Sequence, residues 1–184
     1  MKTSDNASLR LFYAIVAPVG IRERLMTAQL LLSRDWRPTR QDQLHLTLAF
    51  MGTLPAECLE EVIDIGRHVA GSFLPFDLML SGTDAFPGRR RARVLFTPAS
   101  GDGLQALGDT LLRNLGRFVE DRRFTPHLTI ARSRGQFASY QAITVSETWK
   151  VGEIELIKST LSSKGPSYET VAKLELTPLI AQKL

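Results

Sequence analysis

His45-Leu46-Thr47-Leu48-Ala49-Phe50 and His127-Leu128-Thr129-Ile130-Ala131-Arg132 are two copies of one phrase. His, Leu, Thr and Ala recur in place, and the fourth position exchanges Leu for Ile. The copies stand 82 residues apart in a chain of 184. Each is a short apolar run and reads as a strand. Successive side chains on a strand face opposite ways. His45 and Thr47 therefore share one face, about 7 Å apart, and Leu46 and Leu48 share the other. The same holds for His127 and Thr129 against Leu128 and Ile130. Each strand has a polar front and an apolar back. A strand-helix-strand pattern occurs once in each half, so a duplication with pseudo-twofold packing is expected. Such packing would bring two imidazoles and two hydroxyls into one cleft.

The flanking sequence supplies the rest of the architecture. Residues 10–16 read as a buried strand ended by Pro18 and Gly20. Residues 20–33 carry Ile21, Leu25, Ala28 and Leu32 at helical spacing, broken by Trp36, Arg37 and Pro38. A strand over 44–51 is closed by Gly52 and Pro55. A helix over 55–70 sets Leu59, Val62, Ile63 and Gly66 on one side. Strands follow at 76–80 and 94–96, with a loop or hairpin from Gly82 to Arg93 between them. Residues 102–118 return to helical spacing. Residues 127–132 are a strand. The segments 151–161 and 167–177 form a hairpin about Ser162–Pro166. About seven strands and three helices with short connections predict an α+β fold with largely antiparallel sheets. Residues 1–184 read as one domain.

Composition narrows the chemistry. A hydrophobic fraction of 43% with 23% charged residues suits a soluble globular chain. One cysteine, Cys58, can make neither an internal disulfide nor a thiolate zinc site. It reads as packing, and the count fits a reducing cytoplasm. Met1–Asn6 lacks the apolar stretch of a signal peptide, and no run reaches the ~20 apolar residues of a membrane helix. The net charge is +4, carried by 17 Arg and 6 Lys. Arginine's planar fork matches phosphate oxygens, although a genome rich in arginine codons gives the same bias. The local clusters are Arg89-Arg90-Arg91-Ala92-Arg93, Arg122-Arg123, and Arg132 with Arg134.

Two histidines and two threonines on facing strands fit phosphate chemistry. Opening a cyclic phosphate needs a base for water and an acid for the leaving oxygen. Histidine titrates near neutrality and can serve as either. Threonine hydroxyls can donate to the nonbridging oxygens. Only three histidines are present, and a catalytic zinc wants three protein ligands. Neither a metal nor a cofactor is expected. The third, His68, reads as a surface or boundary residue.

The paired His-x-Thr strands resemble the signature of the 2H phosphoesterase superfamily. Within it the chain looks like the RNA 2′,3′-cyclic phosphodiesterases, also called the bacterial 2′-5′ RNA ligases. The likeness runs from Arg10 to about Thr177. It takes in Arg10–Ile15, Leu44–Gly52, Phe86-Pro87, Arg93–Phe96, Phe124–Arg132, Ser159–Leu161 and Gly165–Tyr168. Met51, Phe96 and Leu174 stand where the family commonly has Leu, Trp and Trp, and Leu174 is expected to alter the cleft wall. The resemblance implies two pseudo-symmetric lobes, each an antiparallel sheet backed by helices, with the site in the cleft between them. It implies opening of RNA 2′,3′-cyclic phosphate ends to 2′-phosphomonoesters. His45 would be the proton donor and His127 the proton acceptor. Thr47, Thr129 and Arg132 would bind phosphate.

Arg89, Arg90, Arg91 and Arg93 suggest a basic loop tracking the RNA backbone, or a solvated hairpin. Phe86 could stack a base or pack in the core. The expected partner is an RNA with a 2′,3′-cyclic phosphate end, tRNA fragments included, met by a monomer away from membranes. The alternatives are 2′-5′ joining of tRNA halves, a phosphodiesterase for a small cyclic nucleotide, and a non-catalytic RNA-binding module. The last lacks any RNP-type aromatic motif.

Overall fold

The two repeated phrases lie at the middle of one antiparallel sheet, and the other elements are placed by their distance from that junction. The computed structural model describes residues 7–120, 123–163 and 165–177. Strand β1 (Ser8–Val16) leads through helix α1 (Val19–Gln29) and β2 (Trp36–Pro38) to β3 (His45–Pro55), the first copy. Helix α2 (Leu59–Ala70) and strands β4 (Phe76–Ser81), β5 (Asp84–Phe86) and β6 (Val94–Ser100) follow. Helix α3 (Leu104–Leu115) then leads to β7 (His127–Ser133), the second copy. Strands β8 (Ser146–Val151), β9 (Glu153–Ser162) and β10 (Gly165–Glu175) close the described chain.

The path across the sheet is β10-β9-β1-β3-β7-β6-β4-β8, with β2 beside β7 and β5 beside β6. Strands β3 and β7 meet at Leu46 and Leu128. These are the same position of the two copies, so a pseudo-twofold axis passes between them. It relates β1-α1-β3 to β6-α3-β7 and divides the sheet into two lobes of four strands along this path. The fold is α+β, as the sequence predicts. Each connecting helix reaches across the axis: α1 packs against β7, and α3 against β3. Helix α2 lies over β9, β10 and α3.

Apolar periodicity explains the shared core. Leu104, Leu107, Leu111 and Leu115 of α3 and Val62, Gly66 and Val69 of α2 are buried with Leu46, Leu48, Leu128 and Ile130. Each fully buried Leu or Ile is worth about 1.5–3 kcal/mol. Tyr13 donates a hydrogen bond to the Val62 carbonyl at 2.8 Å within this core. Leu174 is also buried there, beneath Gly66. That corrects the expectation of an altered cleft wall: the side chain faces α2.

Three short strands escape the sequence pattern. Trp36–Pro38 reads as a helix breaker but pairs with β7 as β2. Asp84–Phe86 lies inside the expected loop and pairs with β6. Ser146–Val151 carries no strong alternation and pairs with β4. Two helices are shorter than expected: α1 stops at Gln29, and a 3-10 turn, Gly116–Phe118, ends the α3 region. Another, Ala56–Cys58, precedes α2. Strand β3 runs past Gly52 because that residue takes φ 71° at a bulge against β1, a conformation glycine tolerates. His68 is exposed, and Cys58 is partly buried against the core. The signal-peptide reading of Met1–Asn6, together with Arg122, lies outside the described residues. No helix among the described residues is long and apolar enough to cross a membrane.

Candidate active site

The β3–β7 junction sets four side chains in a square. The strands are antiparallel about Leu46 and Leu128, so His45 lies across from Thr129 and Thr47 across from His127. All four line one cleft of about 430 Å³. The apolar backs, Leu46 and Leu128, are fully buried.

Arg132 joins them through a device that simple alternation misses. Counting by twos from His127 sends Arg132 to the apolar back. The register against β6 runs Phe96 with Thr129 and then Leu95 with Ala131, so Ile130 is an extra residue. Such a bulge shifts the side-chain alternation by one. Ile130 and Ala131 both turn inward, and Arg132 returns to the front. Strand β3 does the same: Ala14 pairs with Thr47 and Tyr13 with Ala49, leaving Leu48 extra and Phe50 in the cleft. Phe50 is thus the symmetry counterpart of Arg132. The Ile130 carbonyl accepts hydrogen bonds from Thr39 N at 2.7 Å and from the buried Gln29 Nε2 at 2.8 Å. Helix α1 thereby fixes the bulge that aims Arg132.

Each imidazole is held by the backbone two residues before it and packed against rings. His127 Nδ1 lies 2.7 Å from the Thr125 carbonyl. A ring nitrogen facing a carbonyl must carry the proton, which leaves Nε2 for the cleft. His45 has the matching backbone hydrogen bond two residues back, to Gln43. Phe12 and Tyr168 pack on His45 at 5.0 and 5.4 Å between ring centres. Phe86 and Phe96 pack on His127 at 5.0 and 5.3 Å. Phe86 also stacks on Phe96 at 4.1 Å, so it packs behind His127 and does not itself line the cleft. Burial disfavours the charged imidazolium and holds His45 down to about 4. Burial also holds His127 below its ordinary value, with Arg132 adding to it. The Tyr168 hydroxyl is pushed up by burial.

The structure brings the five residues that the sequence singles out, His45, Thr47, His127, Thr129 and Arg132, together in one cleft. The sequence reading gives no role to several others that line the cleft: Arg10, Arg37, Arg40, Gln43, Phe50 and Tyr168. Arg10 and Tyr168 sit in segments of the family likeness, whereas Arg37 carries no signal in the sequence. The Arg10 guanidinium lies 4.6 Å over the Phe50 ring, and Arg40 pairs with Asp42. Gln43 Nε2 donates to the Pro166 carbonyl at 2.6 Å, tying the β9–β10 hairpin to the cleft. Arg89, Arg90, Arg91 and Arg93 do not line the cleft. They form an exposed turn in which Arg89 pairs with Asp84 at 3.0 Å and stacks on Tyr140, and Arg91 stacks on Phe137.

Comparison with known proteins fits this geometry. The chain is 32% identical over 179 residues to the RNA 2′,3′-cyclic phosphodiesterase of Thermus thermophilus, covering 91% of this chain and 90% of that one. The crystal structure of the Thermus thermophilus protein TT0787 superposes with a TM-score of 0.85 at 32% identity, over 93% of this chain and 100% of that one. E. coli LigT complexed with 3′-AMP gives 0.80 at 26% identity, over 93% and 99%. The sequence profile of the 2′-5′ RNA ligase superfamily matches residues 21–162. With the repeated strands meeting on a pseudo-twofold axis, these likenesses make the chain a member of the 2′-5′ RNA ligase superfamily of 2H phosphoesterases.

Proposed function

We propose that the protein opens 2′,3′-cyclic phosphate ends of RNA to 2′-phosphomonoesters, without a metal, through His45 and His127. The observation that carries this reading is the square of two imidazoles and two threonine hydroxyls in one cleft. The name of the Thermus relative and the 3′-AMP complex of E. coli LigT support the substrate class. His127 takes a proton from water as its oxygen attacks phosphorus. The bond from phosphorus to O3′ breaks, and His45 gives O3′ its proton. Thr47, Thr129 and Arg132 hold the nonbridging oxygens as negative charge gathers there. Among the described residues no three His, Cys, Asp or Glu side chains converge as a metal set. Joining RNA ends through a 2′-5′ bond uses the same step with a 5′-hydroxyl in place of water. Cytoplasmic RNA ends, tRNA fragments among them, fit the cleft chemistry.

An oligonucleotide with a 2′,3′-cyclic phosphate end tests this directly. Turnover in EDTA to a 2′-phosphate is expected. A 3′-phosphate product, or complete loss in EDTA restored by zinc or manganese, overturns the mechanism.

The pH profile is a second expectation. Both imidazoles have lowered pKa values, so both are mostly neutral near pH 7 in the free protein. The base needs that form, whereas the acid must gain a proton, and the substrate's negative charge favours it on binding. The free-enzyme profile, kcat/KM, should therefore peak below the ordinary imidazole value of 6.5. The kcat profile should lie at higher pH. A kcat/KM maximum above about pH 7 contradicts the depressed pair.

A further inference from the structure

We propose that Arg37 and Arg132 form a second phosphate subsite, which takes the phosphodiester on the 5′ side of the terminal nucleotide. The inference rests on the reading above and extends it from a cyclic phosphate to the RNA strand that carries it. Arg37 on β2 and Arg132 on β7 are register partners. Directly opposed residues of an antiparallel pair point to one face, and both arginines line the cleft. Like charges in that position repel and destabilise the pairing. Other cleft guanidiniums are already engaged, Arg10 over Phe50 and Arg40 with Asp42. Arg37 and Arg132 have no acidic partner among the described residues. Two exposed, unneutralised forks side by side make a site that an anion completes, because each fork can grip phosphate oxygens bidentately.

Position identifies which anion. With the bulge counted, Arg132 lies two pleat steps past Thr129, about 7 Å. The reacting phosphate sits within the His–Thr square. Arg132, on the strand that carries His127 and Thr129, reaches both it and a neighbour, and Arg37, level with Arg132 on the adjacent strand β2, is assigned to the neighbour. A mononucleoside cyclic phosphate has no such second phosphate; an RNA end does. The cleft thus favours oligonucleotide ends over free cyclic nucleotides.

The test compares uridine 2′,3′-cyclic phosphate with a uridine trinucleotide ending in the same group, on wild type, Arg37→Ala and Arg37→Lys. Arg37→Ala should leave kcat/KM for the mononucleotide within about twofold and lower it for the trinucleotide about tenfold. Its salt slope on the trinucleotide should shrink by about 0.7, one phosphate contact on a single strand. Arg37→Lys should keep the slope and recover part of the rate. Equal loss on both substrates, loss on the mononucleotide alone, or no loss on either overturns the subsite. A wild type that opens neither substrate refutes instead the function on which it rests.

Discussion

His45→Ala and His127→Ala are each expected to lower kcat by at least ~10²-fold on a cyclic-phosphate oligonucleotide, with the fold retained. General acid and general base each contribute about 10²–10⁴. The double variant should be little worse than the poorer single one, since groups acting as a unit are not additive. The pH profiles carry more information than the rates. Losing the base removes the fall on the acid side; losing the acid removes the fall on the alkaline side. His127→Ala should therefore keep only the alkaline fall, and His45→Ala only the acid fall. The reversed pattern exchanges the two roles. Near-normal turnover in either variant rules that residue out as acid or base. Melting curves separate this from unfolding, because each ring also packs on two aromatic neighbours.

A large loss of stability without touching the cleft is expected from Gly66→Ala. A Cβ at Gly66 would stand 2.1 Å from the Tyr13 hydroxyl and 2.8 Å from Leu174 Cδ1. Tyr13 is fully buried and cannot swing into solvent. Burial and the bond to the Val62 carbonyl hold its hydroxyl there, with a raised pKa. Overpacking costs about 1–3 kcal/mol. Losing a buried hydrogen bond costs about 1–3 more. Alanine's better helix propensity returns only about 1. A net loss of about 2–4 kcal/mol is expected, seen as a lower urea midpoint with unchanged slope. Gly152→Ala is the control, since a Cβ there meets nothing within 4 Å. It should shift stability by no more than ~0.5 kcal/mol. Equal stability in both variants would mean that α2 moves freely over β1.

The repeated phrase makes the centre of the fold legible. Its apolar backs dictate burial, its polar fronts dictate a cleft, and neither needs distant partners to be read. The elements lost to sequence reading are edge pieces. Trp36–Pro38 becomes a strand only because β7 offers it hydrogen-bond partners. Arg132 shows the limit within the site itself. Strict alternation buries it, and only the extra residue at Ile130 brings it forward. Nothing in the local sequence marks that bulge; it is held by Gln29, a hundred residues earlier. The Arg89–Arg93 run makes the converse point. It is the most conspicuous charge cluster in the chain, yet the arginines that reach the cleft, Arg10, Arg37, Arg40 and Arg132, are scattered singly.

The exchange of helices across the pseudo-twofold axis governs how the molecule comes into being. Strand β3 lies under α3 and β7 under α1, so each half supplies the lid of the other's hydrophobic layer. Neither half can bury its own central strand. Assembly therefore waits on encounters between segments far apart in the chain, which slows folding relative to a fold built from neighbours. It also couples chemistry to completion. A nascent N-terminal half holds one imidazole, one hydroxyl and an uncovered apolar strand, and it gains the second pair only when the C-terminal half docks.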